Sequence, residues 1–341
     1  MKKTPKTPFS TPLSGSAKET EMRFLSILRW KKSRPPMIAL VLLLCAALLC
    51  CSMVACQEGG GNPAAEFPKL SAGAAVPNGC TYVTAAGETL NPGAPMPAEV
   101  QEGDQFVTPQ FVYQSTMVHV TVAGIETEPG WLAALNEENV SRAELTEIAE
   151  PMYEKIGGLP LLSMMGTYQG CAKLTRVPPI PDTVRDMTGT FVQCSSLCQV
   201  PNLPRSLDNM SAAFAECTSI KEVPDIPAGV VSMEKAFLSC TSLEKTPDFS
   251  HCKQFQQFNH VFEGCTALKE VCEIPACITV MDSTFKGCSS LRDTITIHAN
   301  IHDRSACRDV FAGCSSLTLK GSCPGEGLEA MAETGTEIQV K

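Results

Sequence analysis

One phrase recurs seven times between residues 168 and 317: an aromatic residue, two others, a cysteine, two others and an aliphatic. The aromatics are Tyr168, Phe191, Phe214, Phe237, Phe262, Phe285 and Phe311. The cysteines are Cys171, Cys194, Cys217, Cys240, Cys265, Cys288 and Cys314, and the aliphatics Leu174, Leu197, Ile220, Leu243, Leu268, Leu291 and Leu317. Successive cysteines lie 23, 23, 23, 25, 23 and 26 residues apart. A period in the low twenties predicts a solenoid, in which each coil buries its apolar side only against its neighbours. Such a chain offers a surface for binding before anything else.

Within one coil, Met210, Phe214 and Cys217 are spaced to share a face of a short helix or 3-10 turn. An extended stretch follows, Val223-Pro224-Asp225-Ile226-Pro227. The frame recurs as Val177-Pro178-Pro179-Ile180-Pro181 and Val200-Pro201-Asn202-Leu203-Pro204. It decays later, where Phe249-Ser250 replaces Ile-Pro and Cys272 replaces the first proline. Proline cannot donate to a ladder, so the sheet is expected to be only two or three residues wide. The two exposed positions after each aliphatic carry charge. The first column includes Lys221, Glu244 and Lys269, and the second Glu222, Lys245 and Glu270. In strands stacked about 4.8 Å apart these signs alternate, which predicts a solvated face whose cross-strand pairs fix register.

The repeated cysteine is expected to be a small buried side chain stacked coil upon coil. Metal ligands come in tight Cys-x-x-Cys pairs, and one cysteine per coil is not that. Cys252 and Cys277 follow Phe249 and Ile274 by three residues each, so they occupy one position of consecutive coils. They are expected to pair as a disulfide if the protein is exported. Cys80, Cys198, Cys272, Cys307 and Cys323 have no assignable partner. His298 and His302 lie four apart, but in a stretch that reads as a strand, 294–301, which disfavours a zinc site.

The N-terminus is of another kind. Nine Lys and Arg and two Glu precede Cys56, and an apolar run of fifteen residues spans Met37 to Cys51. That run is short for a membrane span, which needs about 20 residues, and suits the core of an export signal. The stretch ends Met53-Val54-Ala55-Cys56 before a glycine-rich run, and resembles a bacterial lipobox in which Cys56 is acylated. Cys45, Cys50 and Cys51 are weaker alternatives, an uncleaved anchor helix is the competing reading, and Met22 is an alternative start. Removal of residues 1–55 leaves 18 basic and 34 acidic residues, a charge of −16 against −9 for the whole chain. So acidic a chain is a poor partner for nucleic acid, whose phosphates need Lys and Arg. Attachment to the membrane would come from acyl chains.

Residues 66–160 do not repeat. Phe106-Val107, Phe111-Val112-Tyr113 and 117–122 read as strands, and Trp131 to Ile156 as a helix, with Ser141 and Glu144 as a capping box. The expectation is a small β-rich module whose final helix caps the solenoid.

The frame Met-x-x-x-Phe-x-x-Cys-x-Ser-Leu followed by Val-Pro-x-Ile-Pro resembles the BspA-like leucine-rich repeats of bacterial cell-surface lipoproteins. Clear instances run from Thr190 to Leu197 and from Thr284 to Leu291. The resemblance covers Met164 to Leu317 and implies a right-handed solenoid with short strands on one face, in proteins that act as adhesins. The expected organisation is a signal peptide (1–55), an acylated Cys56 with a flexible tether (56–65), the β-rich module (66–160), seven coils (161–323) and a C-terminal cap or tail (324–341). The expected fold is an α/β-type repeat solenoid with short strands and short helical or 3-10 turns. The expected role is non-catalytic binding of a protein or glycan partner at the cell envelope, outer membrane or surface; the alternative is a periplasm-facing scaffold. No Ser-His-Asp arrangement, P-loop, cofactor motif or metal motif is visible in the sequence.

Overall fold

The aromatic-x-x-Cys phrase folds into chained turns rather than a helix. In every coil two residues take left-handed backbone angles. One lies two before the aromatic: Gly166, Gly189, Ala212, Lys235, His260, Ser283 and Asp309. The other directly precedes the cysteine: Gly170, Gln193, Glu216, Ser239, Gly264, Gly287 and Gly313. Left-handed residues break the i→i−4 pattern a helix needs. What remains inside the coil are i→i+3 turn bonds, such as Cys171 N–H to the Tyr168 carbonyl at 3.1 Å. The expected face survives, because Met, aromatic and cysteine are all buried. The expected helical conformation does not.

Those turns turn alternate N–H groups outward along the stack. The N–H groups of Met164, Gly166, Tyr168 and Gly170 donate to the carbonyls of Asp186, Thr188, Thr190 and Val192 at 2.7–3.0 Å. The same four rungs recur from the sixth coil to the seventh, where Met281, Ser283, Phe285 and Gly287 donate to Ala306, Arg308, Val310 and Ala312. A net contribution of about 1 kcal/mol per bond offsets the roughly 1–2 kcal/mol that each non-glycine left-handed residue costs. The turns, not strands, carry most of the bonding between coils. Through the proline-bearing coils strand-like pairing is confined to single bridges, such as Ser163 with Asp186, Asp186 with Asn209 and Asn209 with Ser232. There the sheet is narrower than expected, and only residues 294–297 of the sixth coil and 318–321 of the seventh pair over four residues.

The computed structural model describes residues 67–119, 127–292, 294–302 and 304–341. The signal segment, Cys56 and its tether, the 120–122 end of an expected strand and Asp293 lie outside the described residues. Eleven strands are described: β1 (Lys69–Leu70), β2 (Thr81–Val83), β3 (Thr89–Leu90), β4 (Gln105–Val107), β5 (Phe111–His119), β6 (Thr127–Leu135), β7 (Lys155–Ile156), β8 (Leu159–Ser163), β9 (Thr294–Ile297), β10 (Thr318–Gly321) and β11 (Gln339–Val340). One short helix, α1, spans Gly327–Ala332. The first eight strands form one sheet in the order β1-β7-β8-β6-β5-β4-β2-β3, and β11-β10-β9 form a second, parallel one. Among the described residues no helix is long and apolar enough to cross a membrane.

The helix expected from Trp131 to Ile156 is absent. Its first part is β6, held between antiparallel β5 and parallel β8. Trp131, Ala133 and Leu135 are buried while Leu132 and Ala134 are half-buried, a period of two that the surrounding strands exploit. A Cβ on Gly130 would come within 2.4 Å of the Leu162 side chain, so the sheet and its covering side chain meet at a bare backbone. The Ser141–Glu144 capping box is also absent. Glu144 N–H bonds the Ser141 carbonyl at 3.1 Å, and its carboxylate meets Lys173 Nζ at 2.6 Å.

Residues 137–150 instead form turns laid along the first coil. Glu147 bridges Arg176 in parallel register, and Thr175 N–H donates to the Thr146 carbonyl at 2.9 Å. The first coil has no predecessor to donate to its outward carbonyls. Arg142 takes that place: its Nη1 donates to the carbonyls of Thr167 and Gln169 at 3.1 and 2.8 Å, while Nε meets Glu137 at 2.9 Å. Arg185 joins module to repeats, with Glu128 of β6 on one nitrogen and Asp208 of the next coil on another, both at 2.6 Å.

Two substitutions check this ladder. Arg142→Ala is expected to lower unfolding free energy by about 2–3 kcal/mol, since bonds from a charged donor are the stronger kind. Arg142→Lys should recover only part, and urea unfolding measures both. Gly287→Ala should cost about 1–2 kcal/mol, because Gly287 has φ 78° and its new Cβ would lie 3.6 Å from the Cα of Gly264.

Candidate binding surface

The interior sets the spacing of whatever the outside presents. The seven aromatic rings form one continuous stack with centroids 5.2–5.7 Å apart and planes within 13° of parallel. Each following cysteine donates its S–H to the carbonyl of the aromatic in the coil before. Cys194 bonds Tyr168, Cys217 Phe191, Cys240 Phe214, Cys265 Phe237, Cys288 Phe262 and Cys314 Phe285, all at 3.0–3.2 Å. The position thus wants a small side chain that also carries a donor. Burial pushes the thiols of Cys217 and Cys265 up to about 12, and those of Cys171 and Cys314 to about 11. Thiols so held do not ionise near neutral pH, which fits a structural ladder and not redox chemistry. Among the described residues no group of three His, Cys, Asp or Glu could hold a metal ion.

On the outer face the charge columns stand where the sequence put them. Lys269 Nζ meets Glu244 at 2.8 Å, and Lys245 Nζ meets Glu270 at 3.4 Å. The Lys269 ammonium, with Lys221 adding to it, holds the Glu244 carboxyl below its usual range. Such exposed pairs fix register more than they stabilise.

The next column breaks the alternation. The residue between Pro and Ile of the extended frame is Asp225, then Asp248, then Glu273 in the third, fourth and fifth coils. All three are exposed and line one groove of about 580 Å³. Ile226 N–H donates to the Asp248 carbonyl at 3.0 Å, which sets the register of the first two. Glu222 lines the same groove, and among the described residues neither Glu222 nor Asp225 has an ionic partner, because Lys245 turns to Glu270. Asp248 accepts the Ser250 N–H at 2.9 Å, which with the Ser250 hydroxyl keeps its carboxyl below the usual range.

The groove sits where the repeat is irregular. The fourth coil is two residues longer than its predecessors, and Phe249, Phe255 and Phe258 fill the added space with ring centroids 5.1–6.2 Å apart. Between the fourth and fifth coils only three turn rungs form among the described residues: Lys235 to Asn259, Phe237 to Val261 and Ser239 to Glu263. The line of single bridges likewise runs to Ser232 and resumes at Gln257 with Val280.

Sequence reasoning missed two arrangements. Glu273, His298 and Ser322 hold one register across three coils, with His298 Nε2 3.2 Å from Glu273 and Nδ1 2.7 Å from Ser322 Oγ. Spacings of 25 and 24 residues were its only signal, and we read it as a side-chain ladder bridging coils. His302 takes no part in it. The other is Cys272, whose thiol donates to the Pro247 carbonyl at 3.3 Å on the groove wall. The register expected of Cys252 and Cys277 does not form: Cys252 N–H donates to the Phe249 carbonyl as Val230 and Ile278 do to Pro227 and Pro275, so Cys252 takes their buried slot while Cys277 stands one position earlier and half-buried, and both are free thiols. Cys277 Sγ donates to the Cys252 carbonyl at 3.3 Å, and Cys252 Sγ to those of Ile226 and Pro227 at 3.6 and 3.5 Å.

Residues 188–318 match the BspA type leucine rich repeat region in six copies. Over that stretch the repeats are similar to the BspA type. Among solved structures the chain is similar to the T. pallidum leucine rich repeat protein TpLRR, at 22% identity and a TM-score of 0.44 over 60% of this chain and 87% of that one. It is also similar to a leucine-rich repeat protein from Bacteroides ovatus ATCC 8483, at 21% identity and a TM-score of 0.30 over 69% and 76%. No curated protein sequence gives a match.

The carboxylates of this surface give a pH prediction. Glu244 and Asp248 have folded values below their unfolded ones, so their charged forms favour the folded state. That contribution is complete above the ordinary carboxylate range, about 3.9 for Asp and 4.3 for Glu, and is lost as pH falls through the depressed folded values. The double variant Glu244→Gln/Asp248→Asn is expected to show a shallower loss of urea stability than the natural protein between about pH 5 and 3.

Proposed function

We propose that this protein is a lipid-anchored envelope protein whose repeat face binds a partner protein at the cell surface, without catalysis. The observation that carries the reading is the column Asp225, Asp248 and Glu273 beside a groove, on a face whose other columns alternate in sign. Like charges directly opposite one another on stacked strands are destabilising. A fold that alternates charge three positions away but stacks carboxylates here leaves Glu222 and Asp225 without an ionic partner among the described residues. A basic segment of a partner protein supplies one better than a neutral glycan does. Stacked repeats suit such a role, because their surface is extended and rigid. The acylated Cys56 would hold the repeats to the membrane, and removal of the basic leader would leave the acidic surface described above.

Protease shaving of intact cells, read with an antibody to the repeats and an intact periplasmic control, tests the location. Loss of signal with the control preserved is expected. Protection until the envelope is broken would favour a periplasm-facing scaffold. For the interface, Asp225→Asn/Asp248→Asn/Glu273→Gln is expected to weaken binding to matrix proteins or neighbouring cells at least tenfold and to reduce its salt dependence. No binding above background by the natural protein would overturn the reading.

A further inference from the structure

We propose that two copies of this chain associate through the outward face of the module's sheet, each covering the other's. The register defines that face. Tyr82, Phe106, Tyr113 and Ala133 form one row across β2, β4, β5 and β6, and all four are buried in the core. The rows on either side point the other way. Thr81, Val107, Val112 and Ala134 form one of them, and Val83, Gln105, Gln114 and Leu132 the other. Gln114 is exposed and the other seven are half-buried. An antiparallel sheet with one face in water alternates apolar inward with polar outward. Here valine, leucine or alanine fills five of the eight outward places and none is charged. Val118, six residues along β5 from Val112, lies on the same face and forms with Leu162 a buried apolar cluster apart from the main core. Glu128 stands beside Val118 at the edge, and Arg185 matches its charge at 2.6 Å.

Charge identifies the occupant. A two-fold contact sets each side chain near its own counterpart, so a face that meets its copy cannot carry unmatched charge. Apolar side chains satisfy that condition. The Gln105 and Gln114 amides satisfy it too, because each is both donor and acceptor. Beyond residue 55 the chain has 18 basic and 34 acidic residues, a charge of −16, which repels a second copy wherever acidic surfaces meet. The uncharged face is where two such chains approach at least cost. Its size sets the strength. Six adjacent strands, β8-β6-β5-β4-β2-β3, span about 29 Å at about 4.8 Å each, and five residues of strand about 17 Å, which gives roughly 500 Å² per copy. About 1,000 Å² for the pair lies at the low end of specific interfaces, so the dimer forms reversibly and with concentration.

The test uses the full chain in mild detergent, followed by sedimentation velocity over a hundredfold range of concentration. The natural chain is expected to pass from monomer to dimer. Gln114→Lys and Gln114→Glu, both at an exposed position, are expected to weaken the dimer at least tenfold, because like charges then face one another. An equal mixture of the two variants is expected to restore it, since each copy then meets the opposite charge. Equal urea midpoints check that the variants fold alike. Glu216→Gln, on the repeats, should leave the dimer unchanged. A natural chain that is monomeric throughout, a dimer of natural strength in both Gln114 variants, or a mixture as weak as either variant alone overturns the proposal. None of these readouts involves a binding partner, so the result stands apart from the function proposed above.

Discussion

The structure depends on a hydrogen-bond ladder made by turns. Left-handed residues placed four apart in each coil aim alternate N–H groups at the next coil and the intervening carbonyls at the one before. Once that ladder sets the spacing, the rest follows. Aromatic rings separated by one coil must stack, a thiol three residues on must reach the carbonyl behind it, and side chains two positions past the aliphatic must meet their counterparts. The prolines of the extended frame are tolerated because little of the bonding between coils is asked of that segment.

Much of this was legible in the sequence, and the failures have physical causes. The aromatic-x-x-Cys phrase revealed the coil, its buried face and the alternating charges, because side-chain spacing alone decides them. It did not reveal the backbone, since eight of the fourteen left-handed positions are occupied by residues other than glycine, such as Ala212, Lys235 and Gln193, that give no such signal. Gly264, Gly287 and Gly313 in one column were the legible fragment of that pattern. Residues 131–156 misled because apolar residues at helical spacing also satisfy a strand once β5 and β8 flank it, and pairing outweighs propensity. Arg142 carries no signal in the sequence that sets it apart. Its role depends on carbonyls more than twenty residues away that only the fold leaves bare.

The fourth coil concentrates the departures from the rule. Two added residues shift its return path, three phenylalanines fill the widened interior, and one rung between coils is missing. The same place carries the groove, the uniform acidic column and three of the cysteines outside the repeated phrase. A repeat array is free to vary there because each coil touches only its neighbours, so an irregularity remains local and can be put to use without disturbing the stack on either side.

Arg142 has one more implication. Because every coil aims its carbonyls one way and its amides the other, the array has a head that wants donors and a tail that wants acceptors. Arg142 serves the head, and at the tail the Phe311 N–H finds the Thr334 hydroxyl at 2.8 Å. The regular internal junctions share one set of four turn rungs and are chemically interchangeable, whereas the two ends are not interchangeable with anything. Gene duplication or loss of whole coils can therefore lengthen or shorten the protein between fixed ends, in steps of about five ångström, and reach becomes a trait that changes without redesign of the parts that close it.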